Sequence, residues 1–244
     1  MRPYKAIFLD ADDTLFDYPA AEREALFDCV RKFSLEGEAE TVLAAYREYN
    51  AAVWRAHERG EMNKATLKVE RFHRLAAHFG WGNGFSATNT SEHYLATLSG
   101  QRQLLDGAYE LVQTLSASHP LGLITNGIAS VQRGRLSESP ITPHFSCIVI
   151  SEEAGAAKPD PRIFVPAYDA LAVSAAEVLF IGDSVTSDML AARNAGIDFC
   201  WFNPQGLPIP YGFAPVFNAR SLPQIGEWVN AVEPGCIRNA EHVS

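Results

Sequence analysis

The chain of 244 residues contains no apolar run of about eighteen residues, so no membrane-spanning helix is expected. It is short of positive charge, with 20 Lys+Arg against 29 Asp+Glu and a net charge of −9. That balance excludes broad binding to nucleic acid polymers or anionic membranes, which need basic patches. Any phosphate bound here must be held by local cations. Cysteine is sparse: Cys29, Cys147, Cys200 and Cys236 form no C-x-x-C pair, and two lie in apolar runs. They read as buried free thiols of a reducing compartment, and the protein is expected to be cytoplasmic. Internal repeats and low-complexity tracts are missing, and His57, His73 and His78 lack metal-ligand spacing such as H-E-x-x-H. The opening stretch "MRPYKAIFLD" turns acidic after one short apolar run, unlike a signal peptide.

What is present is a series of short apolar runs that end in polar residues. "YKAIFLD" (Tyr4–Asp10), "PLGLIT" (Pro120–Thr125), "CIVIS" (Cys147–Ser151), "VLFIGD" (Val178–Asp183) and "DFCWF" (Asp198–Phe202) read as buried parallel strands. Helical segments lie between them, including Ala129–Leu136, Pro161–Leu171 and Val185–Ala195. Strand and helix in alternation predict an α/β fold, a doubly wound parallel sheet with a Rossmann-like core. From Tyr18 to Leu95 the pattern changes to apolar residues at three- and four-residue spacing, which predicts an inserted α-helical lobe. The expected division is therefore 1–17 plus 96–244 for the core and 18–95 for the lobe. The tail after Val232 lacks periodicity and is expected to fray.

In an open parallel sheet, ligands sit outside the carboxyl ends of the strands. Those ends deliver Asp10 and Asp12, then Thr125, Asn126 and Gly127, then Lys158 in "GAAKPDP", then Asp183 and Asp188. Each piece alone has an ordinary explanation. "TNG" is a common turn, Asp160 caps a helix opened by Pro161, and Ser184 or Thr186 caps the helix after "GD". "DADDT" fails as a calcium loop, because Leu15 stands where glycine is needed and no glutamate follows at the twelfth position. Their joint occurrence at successive strand ends is what these separate explanations leave unaccounted for.

Charge supplies a common reason. Asp10, Asp12 and Asp13 crowd the end of a buried strand, which repulsion and desolvation oppose unless something positive arrives. Asp10, Asp183 and Asp188 offer hard oxygens for one small cation, and Mg²⁺ suits a few carboxylates plus a substrate phosphate. A phosphate would bridge the metal and Lys158; at ~4 Å and an effective dielectric of ~20 that attraction is worth roughly 4 kcal/mol before desolvation. Thr125 and the backbone N–H groups of Asn126 and Gly127 can donate to its other oxygens. Two carboxylates two positions apart can share the work, one attacking phosphorus and the other moving a proton.

These segments resemble the four signature motifs of the haloacid dehalogenase-like hydrolase superfamily. "FLDADDTLF" is similar to its D-x-D-x-T motif, and "LITNG", "KPDPRIF" and "IGDSVTSD" to the other three. The resemblance implies Asp10 as nucleophile and Asp12 as acid/base, with the Asp12 main-chain carbonyl also on Mg²⁺. It implies Thr125 and Lys158, with Asn126 beside Thr125, as phosphoryl ligands. Asp183 would ligate metal and Asp188 would support it. The family's dehalogenases lack the second aspartate, so Asp12 implies phosphatase chemistry. Asp13 stands where most phosphatase members have glycine, and "DADDTLFDY" with "SEEAGAAKPDPRIF" resembles the pyrimidine 5′-nucleotidase branch. The lobe is then the family's cap, which closes over the rim and excludes water. Phe16 and Tyr18, beside the catalytic loop, are candidates for contact with a flat base. The expected partner is a small phosphorylated metabolite, and the protein is expected to be a monomer or homodimer. A sugar-phosphate or phosphoglycolate phosphatase is the alternative on the same scaffold. A non-enzymatic aspartyl-phosphate signalling domain is a second alternative, disfavoured by Asp12 and the large insertion.

Overall fold

The computed structural model describes residues 4–82 and 84–232. Cys236 and the tail expected to fray lie outside them. In chain order the elements are β1 (Ala6–Leu9), α1 (Tyr18–Lys32), α2 (Ala39–Glu58), α3 (Lys64–Phe79), α4 (Ala87–Ser99), α5 (Ala108–Ser116), β2 (Leu121–Thr125) and α6 (Ala129–Ser137). They continue with β3 (Phe145–Ile150), α7 (Ser151–Ala154), α8 (Val165–Leu171), β4 (Val178–Gly182), α9 (Leu190–Ala195), β5 (Asp198–Phe202), β6 (Phe217–Ala219) and α10 (Leu222–Ala231). No helix among the described residues is long and apolar enough to cross a membrane.

The residues form two compact units, one of 4–17, 104–129 and 138–232, the other of 18–103 and 130–137. In the first, six parallel strands make one sheet in the order β3-β2-β1-β4-β5-β6. The order is that of the doubly wound Rossmann-like sheet expected from the apolar runs. β1, β2 and β4 are buried along their whole length, which is why they read as continuous apolar runs without alternation. Phe8, Phe164, Phe180 and Phe199 lie in one buried cluster on a face of the sheet. Because the chain builds outward from β1 through β2 to β3 and then resumes at β4 on the other side, the switch point falls between β1 and β4. That is the place where an open α/β sheet leaves a crevice at its carboxyl end.

The second unit is helical, as the spacing predicts. Asn63 caps α3 and Ser86 caps α4, each accepting a backbone N–H. Its interior is partly polar. Arg71 Nη1 donates to Asn50 Oδ1 at 3.0 Å, and Asn50 Nδ2 lies 3.3 Å from both Tyr18 Oη and Glu22 Oε1. Arg71 also lies against the rings of Tyr46, Phe72 and Tyr94. The unit takes in residues beyond the 18–95 lobe: Arg135 Nε donates to Gln101 O at 2.9 Å, and a Cβ at Gly134 would lie 2.9 Å from Ser99 O. Glycine there permits close approach of α6 to the end of α4.

Candidate active site

Each strand of the switch point hands one carboxylate to the same rim. Asp10 follows β1, and its N–H donates to Ile181 O of β4 at 2.9 Å. Asp183 follows β4; its carbonyl accepts Trp201 Nε1 from β5 at 2.8 Å, and its Oδ1 accepts the Thr14 hydroxyl at 3.1 Å. Ser184 then caps a single π-helical turn, Val185–Met189, by accepting Ser187 N–H at 3.2 Å. Such turns recur at functional sites. This one carries Asp188, which is 1% exposed and whose Oδ2 accepts Ser184 N–H at 3.0 Å. One carboxylate oxygen from each of Asp10, Asp183 and Asp188 lies within 4.8 Å of the others.

Lys158 meets them from the loop after α7, the short helix that follows β3. Its buried ammonium pairs with Asp10, lies 2.7 Å from Asp188 Oδ1 and donates to Ile124 O at 3.0 Å. Thr125 ends β2 and is buried; its Oγ1 accepts Gly127 N–H at 3.0 Å. Asp12 is half-buried in the turn that follows Asp10. The sequence-predicted residues Asp10, Asp12, Thr125, Asn126, Gly127, Lys158, Asp183 and Asp188 thus all lie in the first unit, at the carboxyl ends of β1, β2, β3 and β4.

The electrostatics of this cluster are unbalanced. Burial raises the Asp10 carboxyl to about 8, against the lowering effect of Lys158, with Asp188 and Asp12 adding to the rise. Burial also raises Asp183 well above the carboxylate range, helped by Asp188, Asp10 and Asp13. The Lys158 ammonium is held above its ordinary value, because Asp10 and Asp188 outweigh its burial. One ammonium faces three carboxylates, so the site is short of positive charge. An oxygen-only set of this kind, tight enough for one small ion, fits Mg²⁺.

Several details depart from the sequence reading or add to it. Asp13 has φ 62°, the left-handed conformation that glycine takes freely and aspartate tolerates better than most residues. The turn thus keeps the geometry a glycine would give. Phe16 does not offer a face for stacking: it is 0% exposed, packed into the core and bridged to Leu104. Its position next to an acidic loop suggested a contact role, but an unbranched aromatic ring at a buried position serves packing first. Tyr18 opens α1 in the second unit, is half-buried, and accepts the Asn50 amide. Two residues at the rim escaped the sequence reading. Thr14 orients Asp183, and its only signal was its place in the D-x-D-x-T pattern. Gly182 leaves the space that Asp188 occupies, since a Cβ there would lie 2.5 Å from Asp188 Oδ2.

Comparison with known proteins identifies the family. Residues 4–196 match the haloacid dehalogenase-like hydrolase family. The chain is 37% identical over 210 residues to the pyrimidine 5′-nucleotidase PynA of Streptococcus pneumoniae, covering 84% of this chain and 86% of that protein. It is 29% identical over 223 residues to the pyrimidine 5′-nucleotidase YjjG of Escherichia coli, covering 90% and 95% of the two chains. The crystal structure of the HAD-hydrolase YfnB of Bacillus subtilis, solved bound to magnesium, superposes with a TM-score of 0.86 at 31% identity, covering 94% of this chain and 100% of that one. Strand order, carboxylate cluster and relatives converge: the chain belongs to the haloacid dehalogenase-like hydrolases and is of the phosphatase kind.

Proposed function

We propose that the protein is a Mg²⁺-dependent phosphomonoesterase that acts through an aspartyl-phosphate and that its substrate is a pyrimidine nucleoside 5′-monophosphate. The observation that carries the chemistry is the convergence of Asp10, Asp183 and Asp188 on one another, with Lys158 bridging two of them. The substrate class rests on the similarity to the two nucleotidases.

Asp10, Asp183 and Asp188, with the Asp12 carbonyl, would hold the metal. Bound there, Mg²⁺ supplies positive charge that keeps the carboxylates ionised and offsets charge on the phosphoryl oxygens. Asp10 is the nucleophile. One of its oxygens bonds to phosphorus while the bond from phosphorus to the nucleoside 5′-oxygen breaks. Asp12 gives its proton to that leaving oxygen, a contribution typically worth about 10²–10⁴-fold. It then takes a proton from the water that attacks the aspartyl-phosphate, which frees Asp10 and inorganic phosphate. Lys158 turns its ammonium from the resting carboxylates to the phosphoryl oxygens, and the Thr125 hydroxyl, whose Oγ1 accepts the Gly127 N–H, donates to another of them.

Release of inorganic phosphate from UMP, dUMP, dTMP, sugar phosphates and phosphoglycolate, with Mg²⁺ and with chelator, tests the reading. The expected result is chelator-sensitive turnover, with kcat/KM for a pyrimidine nucleotide at least about tenfold above the others, a gap of ~1.4 kcal/mol in transition-state binding. A sugar phosphate or phosphoglycolate at the top of the series would move the protein to the alternative branch. A stable phosphoprotein without turnover would make it a signalling domain.

A further inference from the structure

Asn126 follows Thr125 and, read from sequence alone, belongs with the phosphate ligands. Its side chain does something else. Oδ1 accepts the Lys158 N–H at 2.8 Å, and Nδ2 donates to the Lys158 carbonyl at 2.8 Å. The same Nδ2 lies 3.4 Å from Ser187 Oγ, on the turn that carries Asp188. A planar amide, with an acceptor and a donor side by side, is the group that can satisfy both main-chain groups of one residue. A carboxylate would leave the Lys158 carbonyl facing an oxygen, and alanine would leave both groups unanswered.

We propose that Asn126 is a positioning residue for Lys158, clamping the lysine's main chain so that its ammonium reaches the phosphoryl site. This rests on the reading of the site given under Proposed function. The need arises from the lysine itself. Its stem is long and flexible, and its ammonium must exchange Asp10 and Asp188 for a phosphoryl oxygen in each turnover. A fixed main chain confines that exchange to the side chain. Asn194 Nδ2 holds the other side of the loop by donating to Pro159 O at 3.0 Å. The Asn126 amide thus joins the segment after β2 to the loop after α7 and to the turn after β4.

A double-mutant cycle separates this role from direct phosphate contact. Asn126→Ala, Lys158→Ala and the double variant are compared with the wild type by kcat/KM on p-nitrophenyl phosphate and by the Kd for inorganic phosphate in the presence of Mg²⁺. Asn126→Ala alone is expected to lower kcat/KM by roughly 100-fold, the scale of a misplacement of about 1 Å, and to weaken phosphate about tenfold. In the Lys158→Ala background the same change should cost less than about threefold in both. Losses that multiply would overturn the proposal and make Asn126 a direct ligand. If Asn126→Ala does not fold, Asn126→Ser takes its place in the same cycle. Phosphate binding needs no turnover, so it reads the cycle even where a variant is inactive. A wild type that bound no phosphate would remove the underlying site reading, a different outcome from additive losses.

Discussion

Asp10→Asn is expected to lower kcat by roughly 10⁴-fold or more, because it removes the attacking oxygen and no neighbour can replace it. The same variant is expected to keep the fold. In the metal-free protein, burial holds the Asp10 carboxyl at about 8, above its unfolded value of 3.8. For an acid raised in this way the sign is unfavourable to the ionised form: stability falls as pH rises from the unfolded value to the folded one. A neutral amide of the same shape therefore gives up no stability at pH 7. Lys158 retains Asp188 and the Ile124 carbonyl when the Asp10 charge is gone. Thermal unfolding in chelator should give a midpoint at or above the wild type. Steady-state assays should show turnover at background. Near-normal turnover, with mass spectrometry excluding reversion of the amide to aspartate, would remove Asp10 as nucleophile.

Gly182→Ala should be strongly damaging although the residue has no chemistry of its own. Its added Cβ would lie 2.5 Å from Asp188 Oδ2, 2.7 Å from Cγ and 2.8 Å from Cβ. Asp188 must then move, and with it the contacts to Lys158 and the Ser184 N–H. The requirement is for space, since Gly182 is not among the residues of positive φ. Overpacking of this kind costs about 1–3 kcal/mol of stability, which unfolding in urea measures. The larger effect should be on Mg²⁺: a disturbed supporting carboxylate typically weakens metal affinity about 10–100-fold. A titration of activity against Mg²⁺ distinguishes the two effects. An unchanged half-activating concentration would place Asp188 outside the metal site.

The parts legible in the sequence were those in which local pattern and burial coincide. β1, β2 and β4 are buried throughout, so their apolar runs announced them, and polar residues at their ends marked the rim. The helices of the second unit showed their spacing because each turns a polar face to water. Asp160 caps the turn at Pro161, and Ser184 caps the turn bearing Asp188, as their residue types suggested. β6, three residues long, is too short to give a periodic signal. The run Val185–Ala195 read as one helix but divides into a π-turn and α9, because the turn is fixed by Asp188 bonding back to Ser184. The clamp of Asn126 on Lys158, the bond from Thr14 to Asp183 and the space at Gly182 join segments distant in the chain. No local pattern records such contacts. Phe16 was misread for the converse reason, since nearness in sequence to the acidic loop did not bring exposure.

The central claim is that phosphoryl transfer passes through the Asp10 carboxylate. Rapid acid quench of a single turnover with a radiolabelled phosphomonoester, followed by peptide mapping, tests it most directly. The label should appear transiently on the peptide that contains Asp10, accumulate in Asp12→Asn and be missing in Asp10→Asn. Free phosphate formed at the wild-type rate with no label on the protein at any time, or label on a different peptide, would contradict it.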